Sequence, residues 1–171
     1  MHIIDYGMGN IGSLLNMMRY LDIKTNVSSD ISELKSAKRI ILPGVGAFDT
    51  AMKRINETDG LKEVLCEKIL VEKIPILGIC LGMQLITNSS EEGNLDGLGW
   101  IDAETVKFPE FVDLKIPHMG WNEAFSYVRD NPLLKETKVD QKYYFVHSYH
   151  VKVKEENDSI MKTDYGIIFN S

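Results

Sequence analysis

The sequence predicts an α/β fold, with a central, mostly parallel sheet flanked by helices and a second half richer in β structure. Three observations carry this. Short apolar runs alternate with segments of helical period through the first ninety residues. The run Ile74-Pro75-Ile76-Leu77-Gly78-Ile79 is almost continuously apolar, as in a strand covered on both faces. Beyond about Asn94, strand-like runs separated by polar turns replace long helical patterns.

Taken in order, His2 to Asp5 reads as a strand. Ile11, Leu14, Leu15, Met18 and Leu21 then fall on one face of a helix. Lys24 to Val27 is a candidate second strand. Asp30-Ile31-Ser32-Glu33 has capping-box spacing, and Arg39 to Leu42 is a third strand ended by Pro43-Gly44. Helical patterns follow over Phe48 to Ile55 and Leu61 to Leu70, and the apolar run at 74–79 is expected at the centre of the sheet. A helix through Met83, Leu85 and Ile86 comes next. Strands are expected at Trp100 to Phe108, Lys142 to Val146, His150 to Val153 and Tyr165 to Phe169. No repeat, low-complexity tract or Gly/Ser/Pro linker divides the chain, so residues 1–171 are expected to form a single domain built on one mixed sheet.

Composition narrows the function. The formal net charge is −6, without a run of Lys or Arg, which argues against nucleic acid or an anionic membrane as partner. No stretch approaches the roughly 18 apolar residues of a membrane span, and the N-terminus lacks a signal-peptide pattern, so a cytoplasmic location is expected. The two cysteines, Cys66 and Cys80, suggest neither a disulfide framework nor a zinc site, and no cofactor or metal is expected.

The chemistry concentrates at Gly78-Ile79-Cys80-Leu81-Gly82, a Gly-x-nucleophile-x-Gly elbow between an expected strand and helix. Such a turn exposes the thiol and sets it at a helix N-terminus, which favours thiolate. From the pentapeptide alone, a small buried cysteine on a strand-to-helix turn fits equally well. Cys66, inside an amphipathic helix, has only the structural reading. Leu42-Pro43-Gly44-Val45-Gly46-Ala47-Phe48 also joins a strand to a helix, so its amides are expected at the same sheet edge as Cys80. A tetrahedral intermediate on Cys80 needs two donors, and the Leu81 amide with one near Val45 is the natural pair. For a lone glycine-rich loop, glycines that serve close packing are the default alternative.

Five segments together resemble the glutaminase subunits of imidazole glycerol phosphate synthases, and their order matches as well. They are Asp5-Tyr6-Gly7-Met8-Gly9-Asn10, the Pro-Gly-Val-Gly-Ala-Phe loop, Gly-Ile-Cys-Leu-Gly-Met-Gln at 78–84, Pro117-His118-Met119-Gly120-Trp121-Asn122, and Tyr144-Phe145-Val146-His147-Ser148-Tyr149. The resemblance implies a flavodoxin-like class I glutamine amidotransferase domain that hydrolyses L-glutamine to glutamate and ammonia through a thioester on Cys80. It assigns the oxyanion hole to Val45 and Leu81, and glutamine binding to Gly46, Gln84, Glu92, Ser148 and Tyr149. It also places Asn10, Met119, Trp121 and Tyr144 near the face that docks a (β/α)₈-barrel cyclase, forming a heterodimer in histidine biosynthesis.

The family's general base and its orienting carboxylate lie in a Gln-Phe-His-Pro-Glu strand, whereas this sequence ends at Ile167-Ile168-Phe169-Asn170-Ser171. It is therefore read as a truncated chain. Among His2, His118, His147 and His150, each is expected to be structural, with His2 at a strand start, His150 on a solvated strand and His147 the best fallback base. The runner-up function is a paralogue that supplies ammonia to another synthase, for example one modifying a surface sugar. A non-catalytic binding subunit is a further class, and an unrelated cysteine hydrolase is disfavoured by the Gln84, Ser148 and Tyr149 set.

Overall fold

The computed structural model describes residues 1–110, 114–126, 128, 131–137 and 141–171. Strands β1 (His2–Ile4), β2 (Asn26–Ser28), β3 (Ile40–Leu42) and β4 (Ile76–Gly78) form an all-parallel sheet in the order β2-β1-β3-β4. Helix α1 (Ile11–Tyr20) covers one face. There Ile3 and Ile41 meet Met18, with Leu14, Leu15 and Ile79 packed around them. Helices α2 (Ile31–Lys35), α3 (Phe48–Glu57) and α4 (Leu61–Cys66) cover the other, where Ile4, Ile40 and Leu42 bury against Leu34, Phe48, Met52, Ile55 and Leu65. Alternate side chains of a strand point to opposite faces, so the two inner strands β1 and β3, with helices on both sides, are buried throughout. Local chemistry sets the starts of α1 and α2: Asn10 Oδ1 accepts the Ser13 N–H at 3.2 Å, and Asp30 Oδ1 accepts the Ser32 N–H at 2.7 Å.

Several expectations need correction. The strands do not form one mixed sheet. Those of the second half, β5 (Ser89–Ser90), β6 (Ala103–Lys107), β7 (His118–Phe125), β8 (Lys142–His147), β9 (Tyr149–Val153), β10 (Lys162–Asp164) and β11 (Ile168–Asn170), make a seven-stranded sheet ordered β5-β6-β9-β11-β10-β7-β8. The apolar run at 74–79 is not central either. Its strand β4 pairs only with β3 among the described residues, and Leu77 is 56% exposed. The run reflects side chains that reach both cores, Ile76 on one face and Ile79 on the other, and apolar content says nothing about which strand lies alongside.

The strand expected at Tyr165 to Phe169 begins only at Ile168, as β11; Tyr165 to Ile167 form the turn from β10, where Gly166 takes φ +69° and its N–H donates to Asp164 Oδ1 at 3.0 Å. The helix expected to reach Leu70 gives way after Cys66 to a π-helical turn over Glu67–Val71. The box at 30–33 is made from one side only, because the Asp30 N–H donates to Ser28 Oγ at 2.9 Å. Strand β7 was not expected. Its alternation is clear, but the inward positions include His118 and Asn122, so it does not read as an apolar face.

Candidate active site

At the carboxyl end of β4 the chain turns sharply into α5 (Leu81–Leu85), and Cys80 sits on the turn with φ 55° and ψ −118°. A non-glycine residue at positive φ is strained, and the surroundings over-determine it here. A Cβ on Gly82 would run into the Leu42 carbonyl, and one on Gly44 would lie 2.7 Å from the Gly82 nitrogen and 2.8 Å from Leu81 Cβ. The elbow and the glycine loop are therefore packed backbone to backbone. Tyr6 braces the loop from below: its buried hydroxyl donates to the Pro43 carbonyl at 2.7 Å, and burial pushes its pKa up. The Cys80 thiol is exposed, whereas Cys66 is half-buried.

Neither the Val45 nor the Leu81 N–H donates a hydrogen bond among the described residues. Both amides are thus uncommitted, on two loops in direct contact, beside an exposed thiol. That arrangement suits an acyl-transfer step in which a new oxyanion must be met by fixed donors.

A cavity of about 400 Å³ opens from Cys80 between the elbow with α5 and the seven-stranded sheet. Of the expected glutamine contacts, Gln84 and Tyr149 line it with Cys80, while Gly46, Glu92 and Ser148 lie outside its lining. Gln84 is nearly buried, and its Oε1 has no hydrogen-bond partner among the described residues, so it holds an acceptor in reserve. The Oε2 of Glu92 is buried and unpartnered in the same way. Burial is the main cause that raises the Glu92 pKa, and the nearby Asp49 adds to it, while the Phe48 N–H opposes them. Ser148 stands between β8 and β9, its carbonyl accepting the Phe108 N–H at 3.2 Å.

His147 lines the cavity but has no nitrogen to spare for Cys80. A carbonyl only accepts, so the His147 Nδ1–H donates to the Tyr149 carbonyl at 2.7 Å. In the neutral ring Nε2 then accepts, taking the Nδ1–H of His118 at 3.0 Å. The remaining His118 Nε2 faces the Asn122 amide nitrogen at 3.4 Å, which also donates to the Asp164 carbonyl at 2.9 Å. Burial lowers the pKa of both histidines and keeps this chain neutral. Sequence reasoning missed the chain because its members come from four strands, β7, β8, β9 and β10. His150 is not on a solvated strand: it packs against Phe108 and Phe169, with ring centroids 5.0 and 5.8 Å away, and its Nδ1 is buried.

The expected docking residues fall in two places. Met119, Trp121 and Tyr144 share the outer face of the β7–β8 hairpin, where Trp121 pairs with Tyr144 edge-on at 5.6 Å and Met119 stands opposite Val146. All four are more than half exposed, led by Trp121 at 70%, so none of them is a core residue. Asn10 is exposed at the start of α1, where its side chain already serves as a cap. Among the described residues no group of His, Cys, Asp and Glu is arranged to hold a metal, and no helix is long and apolar enough to cross a membrane.

Comparison with known proteins agrees with this geometry. Residues 2–169 match the family model described as glutamine amidotransferase class-I. The chain is 46% identical over 169 residues to a Methanococcus maripaludis protein named imidazole glycerol phosphate synthase subunit HisH 2, covering 99% of this chain and 83% of that one. A protein of the same name from Pseudomonas aeruginosa is 40% identical over 169 residues with the same coverage. In three dimensions the fold matches a crystal structure of a glutamine amidotransferase with a TM-score of 0.70 at 14% identity, over 99% of this chain and 89% of that one. A glutamine amidotransferase from Thermotoga maritima matches with a TM-score of 0.60 at 14% identity, over 99% and 69%. The elbow, the facing glycine loop and these relatives lead to one conclusion: the chain belongs to the class-I glutamine amidotransferase family, alongside the subunits named HisH.

Proposed function

We propose that the chain is a glutaminase subunit that converts L-glutamine to glutamate and ammonia, and passes the ammonia to a synthase partner that makes imidazole glycerol phosphate in histidine biosynthesis. One observation carries the chemistry: an exposed cysteine held at positive φ beside two uncommitted amides. The Cys80 sulfur attacks the side-chain amide carbon of glutamine, and the carbonyl oxygen takes up the negative charge between the Val45 and Leu81 N–H groups. The carbon–nitrogen bond then breaks, a proton goes to the departing nitrogen, and ammonia leaves a thioester. Water adds to the same carbon, the sulfur departs as thiolate, and glutamate is released.

Gln84, Tyr149, Gly46 and Ser148 hold the amide end and backbone of glutamine, and Glu92 meets its α-ammonium. The His–Glu pair that carries the proton in the family is not among residues 1–171, and His147, committed at both nitrogens, does not replace it. The partner docks on the apolar hairpin face around Met119, Trp121 and Tyr144, with Asn10 at the start of α1 as a separate contact. A (β/α)₈-barrel cyclase in a cytoplasmic heterodimer fits that reading.

Glutamate release, measured with the synthase partner present, tests the proposal. Cys80→Ala is expected to abolish it and Cys66→Ala to leave it nearly unchanged, and residual turnover in Cys80→Ala would remove the thioester mechanism.

A further inference from the structure

The start of α3 and the loop after β5 are tied together by one side chain. Ala47, the N-cap of α3, offers no side-chain hydrogen bond to the helix. Asp49, in the first turn, reaches across instead: its Oδ1 accepts the Asn94 N–H at 2.9 Å and the Leu95 N–H at 3.0 Å, and its Oδ2 lies 3.0 Å from the Asn94 nitrogen. Bonds from amides to an ionised carboxylate are among the stronger ones a loop can make. The fit is close enough that a Cβ on Gly93 would collide with the Asp49 carboxylate and lie 3.1 Å from the Phe48 ring.

Glu92 immediately precedes this clamped segment. Its N–H donates to Ser90 Oγ at 3.2 Å, and its carboxyl lies near the Phe48 N–H at the start of α3, an end that Ala47 does not cap. The helix start accounts for a carboxyl in that place but leaves Oε2 buried and unpartnered. An ionised oxygen so placed is costly until a donor arrives, and a primary ammonium supplies both the charge and the N–H groups. Phe48 and Asp49 also continue directly from the loop that carries Val45 and Gly46. A single helix start thus sets both the Glu92 carboxyl and the loop that faces Cys80.

We infer that Asp49 is a positioning residue for glutamine: by fixing the backbone of Asn94 and Leu95 it aims the Glu92 carboxylate at the α-ammonium. The inference rests on the proposed glutamine site. A purely structural tie would instead weaken every ligand of that site alike.

The test is protection of Cys80 from iodoacetamide, followed by peptide mass spectrometry so that Cys66 is counted separately. The protectants are glutamine and glutaramate, which is glutamine without its α-amino group. Asp49→Ala and Glu92→Gln are each expected to raise the glutamine concentration for half-protection by about tenfold or more, the equivalent of about 1.4 kcal/mol. With glutaramate, both variants should match the unaltered chain. Asp49→Asn, which keeps an oxygen acceptor, should recover most of the loss. If Asp49→Ala does not fold, Gly93→Ala, which displaces the same loop, serves in its place with the same expectation. Equal losses with both protectants would overturn the inference, as would an Asp49 variant indistinguishable from the unaltered chain while Glu92→Gln is impaired. Failure of glutamine to protect the unaltered chain would instead remove the glutamine site itself.

Discussion

The elbow at Cys80 and the β7–β8 hairpin solve opposite problems. At the elbow, backbone meets backbone with no room for a methyl group at Gly44 or Gly82, and the nucleophile's unusual φ is fixed by that crowding. On the hairpin, Met119, Trp121, Tyr144 and Val146 stand in register on a face open to solvent, while His118 and Asn122 on the other face enter a buried polar chain. The difference teaches where each task is placed. Bond-making sits where packing leaves one geometry, and recognition sits where an apolar surface remains to be covered.

The comparison breaks first at the elbow. Gly82→Ala should drive the turn away from the Leu42 carbonyl and cost activity by a factor of about 10²–10³, the scale of a lost oxyanion donor, measured as glutamate release with the partner present. If turnover survives, the crowding is incidental to catalysis. The hairpin should behave in the opposite way. Trp121→Ala is expected to leave the thermal midpoint nearly unchanged and to weaken partner binding by about 2 kcal/mol, roughly thirtyfold, as read by titration calorimetry. A large loss of stability with intact binding would make Trp121 a structural residue.

Acid sharpens the contrast within the hairpin itself. Burial lowers the pKa of His118 and His147, so the unfolded chain takes up their protons first. Their contribution to stability is complete above the unfolded value of about 6.5 and is lost as pH falls through the lower folded values. Thermal midpoints should drop on that acidic side, and less steeply in His147→Gln. Glutamine binding should also weaken as pH falls through the raised Glu92 value, because only the carboxylate attracts the ammonium. The smallest effect belongs to Asn10. Its alanine variant should lose about 1 kcal/mol of stability as a helix cap, and any further loss in partner binding would measure its part in the docking face.

Much of the first half was legible in the sequence because its signals are local. Asp30 and Pro43-Gly44 punctuate the chain where helix or strand must change, and Gly78-Ile79-Cys80-Leu81-Gly82 demands a sharp turn wherever it is placed. Strand β7 was not legible, because the partners that make His118 and Asn122 tolerable inside come from residues 29 and 42 positions away. Position in the sheet was hidden for a related reason. Ile76 and Ile79 announce that two faces are covered, but hydrogen bonds between strands use backbone groups that every residue shares, so nothing in the run at 74–79 tells that β4 pairs only with β3 among the described residues.

The sequence by itself determined the elbow, the facing glycine loop and the family, since turn chemistry and motif order are properties of adjacent residues. Only the tertiary structure decided that His147 is already committed, that Trp121 faces solvent and that Asp49 reaches the backbone beside Glu92. Each of those depends on what lies across a sheet or a loop, and contact between distant segments follows from the packing of the whole chain.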